Sequence, residues 1–409
     1  MAGGILSGIR VIDAATYIAA PGAAAALADF GAEVIKIERP PHGDPYRYLV
    51  KNSGMPASEH NYCWILDDRS KKSLALNLGE DRGRGILIQL VRTADVFLTN
   101  FLPAQLNRFR LQYEDLRAVN ERLIYASVTG YGETGPDADL PGFDMTAYWA
   151  RSGLMDFIHN PDAEPTTTPS GFGDHPTAMA LFGAVMLALY QRERTGRGMK
   201  VSTTLMACGA WSHGCYIQAA LCGAQFIPRR TRREPHNPLV NHYLSGDERR
   251  FVFCLIEPRR DWPRLCRALG REEWIDDERF CTPALRRENA GALVALLDQE
   301  FGRRPMEEWA RRFAAAEVTW SPVPSAAELV MDPQMAAQGA FPEIEGVGMR
   351  TLDTPIRVEG VEKTLPRRAP AIGEHTIEIL DSLGYSSEEI GRLEDEGVVQ
   401  SCRSRAESG

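Results

Sequence analysis

Short segments rich in β-branched residues alternate with helical segments through the first half of this chain. Strands are predicted at residues 10–13 and 33–38, with an alanine-rich helix over 23–30 between them. Further strands are predicted at 73–78, 95–99 and 123–128, and a helix over 81–93 separates the first two of these. Such alternation is typical of parallel strands joined by crossover helices. We therefore predict an α/β fold with a doubly wound, Rossmann-like sheet.

The second half of the chain is organised differently. Two long helices are predicted over 174–194 and 204–221, with a turn and a short strand (199–202) between them. The composition changes near Pro228, where the arginine-rich run 229–233 is typical of an exposed linker. A second unit follows, with a strand at 250–256 and helices near 261–269, 289–301 and 305–315. A length of 409 residues is enough for two domains.

Composition excludes several classes of protein. The formal net charge of −9 argues against a general nucleic-acid binder. The first ten residues lack the basic and apolar regions of a signal peptide, and the apolar runs are interrupted before they reach membrane-spanning length. We expect a cytoplasmic protein that binds neither membranes nor nucleic acids.

The usual cofactor and metal motifs are missing. No Gly-x-Gly-x-x-Gly follows the first strand, and the sequence contains no Walker loop, no Gly-x-Ser-x-Gly and no His-Glu-x-x-His. Cys208, Cys215 and Cys222 recur every seven residues, but with no convincing fourth ligand we interpret them as core residues. We expect no metal site.

Basic residues lie near the ends of several predicted strands. Arg39 follows the second strand, Lys72 directly precedes the third, and Arg108 comes shortly after the fourth. Ligands of open α/β sheets bind at such loop edges, where Arg and Lys hold phosphates through charge-assisted hydrogen bonds. Ordinary solvated surface residues are the alternative interpretation.

A carboxylate stands at the head of an apolar helix. Asp174 follows Gly173 and precedes the apolar run 175–190. Aspartate is a preferred N-cap residue, and Pro176 is tolerated in a first helical turn. A carboxylate beside so much apolar surface is also costly to bury, which points to a chemical role. Both interpretations stay open on these residues alone.

Six segments, taken in order, resemble the family III CoA-transferases. They are 30–38 (FGAEVIKIE), 71–78 (KKSLALNL), 100–101 (NF), 173–174 (GD), 195–198 (TGRG) and 369–376 (APAIGEHT). The resemblance implies a large doubly wound domain built from both ends of the chain, a smaller α+β domain, and an interlocked homodimer. It places the large domain at 1–225 and 326–409 and the small domain at 226–325.

The resemblance also implies functional residues. The family's catalytic carboxylate maps onto Asp174, and its CoA-contacting positions map onto Tyr17, Ile18 and Ala19, then Arg39, Lys72 and Arg108. The implied reaction moves CoA from an acyl-CoA donor to a carboxylic acid through an aspartyl anhydride and an aspartyl-CoA thioester. CoA and acyl-CoA are then substrates, and no tightly bound cofactor is expected.

Two alternatives remain. Acyl-CoA racemases of the same family carry a histidine where this chain has Phe143, which cannot accept a proton, although His175 is a conceivable substitute. A CoA-binding protein without activity would need Asp174 only as a helix cap. Formate and oxalate are poor candidate acids, because the glycine-rich loop of those enzymes is missing and Ile18 replaces their amide side chain.

The segment 141–153 resembles that of transferases acting on larger 2-hydroxy acids or carnitine-like acids. Phe143, Tyr148 and Arg151 are therefore candidates for an acceptor pocket. Ordinary helix packing explains the aromatic residues of this segment equally well.

Overall fold

A computed structural model describes residues 4–402 of the chain. The strands are β1 (Arg10–Ala14), β2 (Glu33–Glu38), β3 (Lys72–Leu76), β4 (Val96–Thr99), β5 (Ile124–Thr129), β6 (Lys200–Thr204), β7 (His242–Leu244), β8 (Arg250–Phe253), β9 (Trp320–Pro322) and β10 (Val399–Gln400). The α-helices are α1 (Ala19–Asp29), α2 (Tyr62–Asp68), α3 (Asp81–Val91), α4 (Pro103–Phe109), α5 (Tyr113–Arg117), α6 (Leu154–Phe157), α7 (Asp174–Thr195), α8 (Leu205–Ser212), α9 (Gly214–Leu221), α10 (Pro258–Leu269), α11 (Pro283–Glu288), α12 (Ala290–Phe301), α13 (Met306–Ala315), α14 (Ala326–Leu329), α15 (Pro333–Ala337), α16 (Thr376–Ser382) and α17 (Ser387–Asp395).

The chain forms two compact units. Unit 1 contains the residues up to Phe157, the stretch Thr166–Gly223 and the chain from Gly339 onward. Unit 2 contains Ile158–Pro165 and Ala224–Gln338. Both ends of the described chain thus belong to unit 1.

Unit 1 is built around a large, mostly parallel sheet. Its described strands lie in the order β10-β3-β2-β1-β4-β5-β6, and only the short β10 runs antiparallel to its neighbour. The register pairs Val11 with both Val34 and Val96. The order 3-2-1-4-5-6 of the parallel strands is that of dinucleotide-binding sheets. The predicted parallel α/β fold is therefore confirmed.

Helices cover both faces of this sheet. Consecutive side chains of a strand point to opposite faces, so neighbouring residues of one strand belong to different cores. Val11 belongs to a core packed against α1 and α7, whereas Ile12 belongs to a core packed against α3, α16 and α17. Both residues are fully buried. A sheet buried on both faces explains why its strands lack a strict alternation of apolar and polar residues.

The order of the strands creates a crevice at one edge of the sheet. The chain leaves β1 to one side toward β2 and β3, and later returns on the other side of β1 as β4. The loops after β1 and β4 therefore diverge at the carboxyl edge. Open α/β sheets bind ligands at this reversal point.

Two predicted helices have different bounds. The helix predicted over 23–30 begins at Ala19, because Pro21 lies in the first turn, where a missing N–H costs nothing. The helix predicted over 204–221 is interrupted at His213, whose dihedral angles (φ −121°, ψ 34°) are not helical. Its imidazole Nδ1 lies 3.0 Å from the Gly209 carbonyl oxygen, and Gly214 begins the next helix.

The core interpretation of the spaced cysteines is wrong for two of them. Cys215 and Cys222, within α9 and at its end, are exposed because that helix has no buried residue. Cys208, in α8, is partly buried. Within residues 4–402, no group of three or more His, Cys, Asp or Glu side chains is arranged to hold a metal ion. No helix in that range is both long and apolar enough to cross a bilayer.

Unit 2 has its own core. The antiparallel strands β7, β8 and β9 pack against helices α10, α12 and α13 around large aromatic side chains. Phe251, Phe301 and Phe313 are fully buried there, with ring centroids 5.0–6.2 Å apart.

Candidate active site

A cavity of about 350 Å³ lies at the carboxyl edge of the unit 1 sheet. Its wall is formed by the loop after β1 (Thr16 to Ala19), the loop after β4 (Asn100 to Gln105) and the end of β5 (Val128 to Gly130). Phe143, Asp144 and Asp174 are among the other residues that line it. The cavity therefore lies where the strand order reverses, as expected for a ligand site of such a sheet.

Asp174 is the first residue of α7, not its cap. Gly173 occupies the N-cap position, and no side chain makes a capping hydrogen bond there. The N-cap interpretation of Asp174 is therefore wrong. Among the described residues the Asp174 carboxylate has no hydrogen-bond partner, so it lies in the cavity wall uncommitted to the protein.

Asp144 accepts hydrogen bonds from the loop that precedes α7. Its two carboxylate oxygens accept the N–H groups of Gly171 and Gly173, at 2.8 and 3.1 Å. The loop approaches so closely that a Cβ at Gly173 would lie 2.4 Å from Asp144 Oδ1 and 2.2 Å from Tyr148 Cγ. Only glycine fits at position 173, which explains the Gly-Asp pair in physical terms.

Burial dominates the electrostatics of both carboxylates. Burial, together with the negative charge of Asp144, raises the pKa of Asp174 to about 7, although the neighbouring His175 acts in the opposite direction. Burial also raises the pKa of Asp144, against the two N–H bonds that it accepts. A perturbed carboxyl in a cavity is a common property of reacting groups.

The loop after β1 is held in an unusual conformation. Tyr17 has φ +64°, in the left-handed region that non-glycine residues rarely adopt. Its N–H donates to Asp44 Oδ1 at 3.1 Å, and its ring packs edge-on against Phe143 with centroids 5.8 Å apart. The neighbouring Thr16 exchanges two hydrogen bonds with the side chain of Asn100. The cavity wall is thereby fixed from both adjoining loops.

A buried group of charges lies behind this loop. We call Asp13, Lys36, Asp44, Asp68 and Lys71 the lysine-linked cluster. Lys36 Nζ lies 2.8 Å from Asp44 Oδ2 and donates to the carbonyl oxygen of Ala15 at 2.7 Å. Lys71 Nζ lies 2.8 Å from Asp13 Oδ2 and 2.9 Å from Asp68 Oδ1. The cluster thus joins β1, β2 and the Asp44 carboxylate that holds Tyr17.

Comparison with known proteins agrees with this geometry. Residues 6–376 match the sequence pattern of CoA-transferase family III. The chain belongs to CoA-transferase family III. It is accordingly an enzyme of the CoA-transferase type, and such enzymes use CoA thioesters as substrates.

Several family III relatives are similar over almost their whole length. The cinnamoyl-CoA:phenyllactate CoA-transferase of Clostridium sporogenes is 35% identical over 396 residues, covering 95% of this chain and 96% of the relative. The human succinyl-CoA:glutarate CoA-transferase is 29% identical, covering 96% and 90%. The crystal structure of a CAIB/BAIF family protein from Brucella suis superposes with a TM-score of 0.83 at 30% identity, covering 93% of this chain and 100% of that chain.

The structure brings together some of the residues that the family resemblance selected. Tyr17, Ile18, Ala19, Phe143 and Asp174 all line the cavity.

The three basic residues predicted to contact CoA do not line the cavity. Arg39 and Arg108 are exposed, directly after β2 and within α4, at the same edge of the sheet. Lys72 reaches back instead toward Glu33, the first residue of β2, and pairs with Glu33 and Glu378 at 2.9 and 2.8 Å. Its ammonium group therefore lies toward the opposite edge of the sheet.

Two acceptor-pocket candidates make contacts outside the cavity. Tyr148 is buried, and its hydroxyl lies 2.6 Å from Ser212 Oγ. Arg151 is exposed and pairs with Asp137 at 2.7 Å. Their roles in substrate binding stay predictions from the resemblance.

His175 lines a second cavity, of about 340 Å³, with Asp67, Arg69 and Met179. Its Nε2 lies 3.1 Å from Asp67 Oδ1, and the Tyr46 hydroxyl donates to the other oxygen of Asp67. Burial opposes protonation of His175, but the hydrogen bond to Asp67 and the negative charges of Asp67 and Asp174 together outweigh burial and raise the pKa of the imidazole. His175 thus lies beside Asp67 in the second cavity, whereas Asp174 lines the first.

Asp144 and the lysine-linked cluster escaped the sequence analysis. Asp144 follows Phe143 in a segment whose sequence points to an acceptor pocket, and no signal in the sequence marks its carboxylate. The structure packs this segment so closely that a Cβ at Gly130 would lie 2.6 Å from the Gly142 Cα. Two glycines in such contact place this segment against the end of β5.

Proposed function

We propose that this enzyme transfers CoA between carboxylic acids with Asp174 as the nucleophile. One observation supports the proposal most strongly. The Asp174 carboxylate lines the cavity at the reversal point of the sheet, and no described residue hydrogen-bonds to it. A carboxylate used only for structure would be paired or bonded at this depth.

The proposed reaction has four steps. A carboxylate oxygen of Asp174 attacks the acyl carbon of the donor thioester, the C–S bond breaks, and CoA leaves as a thiolate. The thiolate attacks the aspartyl carbonyl carbon of the resulting anhydride and releases the donor acid as a carboxylate. The acceptor carboxylate then attacks the aspartyl thioester and expels the thiolate again. Finally the thiolate attacks the acceptor acyl carbon, which frees Asp174 as a carboxylate.

The charges balance without an added proton, since each step exchanges one anion for another. The protein therefore needs to hold CoA close to Asp174 while the thiolate changes partners. The loop of Tyr17, Ile18 and Ala19 lies next to Asp174 in the cavity wall. We propose that Arg39 and Arg108, which are exposed, bind the phosphates of CoA, and that Lys72, paired with Glu33 and Glu378 toward the opposite edge, does not take part.

The racemase alternative gains no support from the geometry. It needs a proton acceptor facing the same substrate as Asp174, and His175 lines the other cavity. Phe143, at the position of the racemase histidine, lies against Tyr17 and carries no titratable group.

We also propose a homodimer, interlocked as in the family resemblance. Its support is the large apolar surface that unit 1 leaves exposed on α7, α8 and α9. Leu187, Trp211 and Leu221 are 72%, 86% and 76% exposed. Exposed apolar surface of this extent is typical of an interface between protein chains.

Trapping the covalent intermediate tests the mechanism. Incubation with an acyl-CoA and hydroxylamine is expected to convert Asp174 into a hydroxamate, detected by mass spectrometry of the peptide that contains it. Asp174→Ala is expected to reduce turnover by at least about 10⁴-fold while CoA affinity stays within several-fold. Phe143→Leu, a change beside the nucleophile that leaves the carboxylate in place, is the control and is expected to keep the labelling. Turnover by Asp174→Ala near the level of the unmodified enzyme would contradict the mechanism.

A further inference from the structure

The charges around the Asp174 cavity are of one sign. Among the residues that line it within the described chain, the charged ones are Asp144 and Asp174, and none is Lys, Arg or His. His175 acts on both carboxylates through its charge, but it lines the other cavity and its imidazole lies 3.1 Å from Asp67. Arg151 is paired with Asp137 and does not line the cavity. A ligand group placed here therefore meets two carboxylates and no positively charged lining residue.

Most of the remaining wall is apolar. Its apolar side chains include Leu102, Pro103, Leu140, Phe143, Met145 and Leu205. Two of the polar side chains beside them are used by the protein: the Asn100 amide bonds to the backbone of Thr16, and Gln105 Oε1 accepts the N–H of Leu102. The hydroxyl of Thr168, which has no hydrogen-bond partner in the described chain, adds a polar group to the wall but no charge. Such a wall buries hydrocarbon favourably but solvates a charge poorly.

The reaction itself brings in one carboxylate and no more. When the acceptor arrives at the proposed aspartyl-CoA thioester, Asp174 has lost its negative charge, so the reacting carboxylate can approach it. A second carboxylate on the same acid would remain in the cavity, beside Asp144 and without a cation. Desolvating an unpaired charge in this way is strongly unfavourable.

From these observations we infer that the enzyme selects monocarboxylic acids with an uncharged, apolar side chain and discriminates against dicarboxylic acids. The inference rests on the proposed function, because it concerns the acyl group bound at Asp174. The charge of the cavity wall is the property that selects the acid, and the steps of the reaction do not depend on it.

Three six-carbon thioesters separate the possible classes of substrate. Hexanoyl-CoA, adipoyl-CoA and 6-aminohexanoyl-CoA differ only at the far end of the acyl chain, which is a methyl group, a carboxylate or an ammonium group. Each is mixed with the enzyme, and the rate of CoA attachment to Asp174 is measured by mass spectrometry. We expect hexanoyl-CoA to react at least about 30-fold faster than adipoyl-CoA, and faster than 6-aminohexanoyl-CoA.

A cation added to the wall should change this preference. Leu140 lines the cavity and is 49% exposed, so it can be replaced at little cost to folding. Leu140→Arg is expected to raise the ratio of adipoyl to hexanoyl rates by at least about tenfold. Leu140→Gln, which adds polar bulk without charge, is expected to leave that ratio within about twofold.

The outcomes distinguish the inference from the mechanism. Attachment to Asp174 from adipoyl-CoA or 6-aminohexanoyl-CoA at least as fast as from hexanoyl-CoA would overturn the inference and leave the mechanism standing. If none of the three thioesters modifies Asp174, the proposed function fails and the inference fails with it. An equal change of ratio in Leu140→Arg and Leu140→Gln would show that charge is not the selecting property.

Discussion

Unit 1 contains two groups of carboxylates next to the loop that follows β1. The two groups differ in whether positively charged side chains accompany them. In the lysine-linked cluster, two lysines face three aspartates. At the active site, Asp144 and Asp174 share a cavity whose described lining offers no cation. The first arrangement fixes a loop, and the second leaves a carboxylate available for reaction.

The pKa shifts follow from this difference. Burial alone would raise the pKa of Asp13, but the charges of Lys36 and Lys71 outweigh burial and lower it. At Asp174 burial acts together with the charge of Asp144, and the pKa rises to about 7. Burial likewise raises the pKa of Asp68 to about 7, which is consistent with one aspartate more than the two lysines can neutralise. The direction of the pKa shift thus depends on the counterions as well as on burial, which is complete at Asp13 and partial at Asp174.

The largest effect is expected from removing a lysine of the cluster. Lys36→Met leaves Asp44 and the carbonyl oxygen of Ala15 buried without their cation, which should lower the free energy of unfolding by about 3–5 kcal/mol. Lys72→Met is the matched control, because Lys72 pairs with partly exposed glutamates, and should cost no more than about 1 kcal/mol. Urea denaturation of both variants measures the difference. Similar losses in the two variants would contradict the contrast drawn between buried and surface pairs.

A smaller effect is expected from neutralising the nucleophile. The folded protein holds the Asp174 proton up to a pH of about 7, against 3.8 for the ordinary group, so this residue makes stability fall as the pH rises through that window. Asp174→Asn removes the dependence. It should therefore be more stable than the unmodified enzyme by about 1–3 kcal/mol at pH 8, and nearly equal to it at pH 4. Thermal denaturation at the two pH values measures this, and a difference independent of pH would refute it.

The smallest effect concerns the coupling between the two site carboxylates. The attack on the donor thioester needs ionised Asp174, so its rate should rise with pH and level off above about 7. Asp144→Asn removes a negative charge that raises the pKa of Asp174 and keeps an oxygen for the Gly171 or Gly173 N–H. The midpoint of the profile should move to lower pH by less than about one unit. Single-turnover rates between pH 5 and 9 test this, and a midpoint that stays or rises would show that Asp144 does not act through its charge.

The sequence was informative where local pattern decides structure. Alternating strands and helices predicted the parallel sheet, and the positions of β1, β2 and β5 agree within one or two residues. The break at His213 was not predicted, since residues 204–221 are mostly apolar, and Gly209 and Gly214 weaken the helical pattern without marking where it stops. The interruption coincides with the contact between the His213 side chain and the Gly209 carbonyl oxygen. Local propensity gives no signal for such a bond.

The residues of the candidate site also differ in whether the sequence reveals them. Asp174 could be recognised because a short motif carries it. Asp144 could not, because its role depends on two N–H groups 27 and 29 residues further along the chain. The sequence does not predict the lysine-linked cluster either, since Lys36 lies inside a strand and only interrupts the apolar pattern of that strand. Partners that are distant in sequence become evident only when the sheet is assembled.

The antiparallel strand β10 has a consequence for how the protein is made. Val399 and Gln400 pair with Leu76 and Ala75, more than 300 residues earlier in the chain, and α16 and α17 pack on the same face. On the ribosome, the sheet begun by β1 therefore stays without its outer strand and part of one helical layer until residue 400 has emerged. Unit 2 is synthesised in between, from mostly continuous sequence, and can form its core earlier. The order of synthesis thus completes unit 1 only after unit 2 has been made.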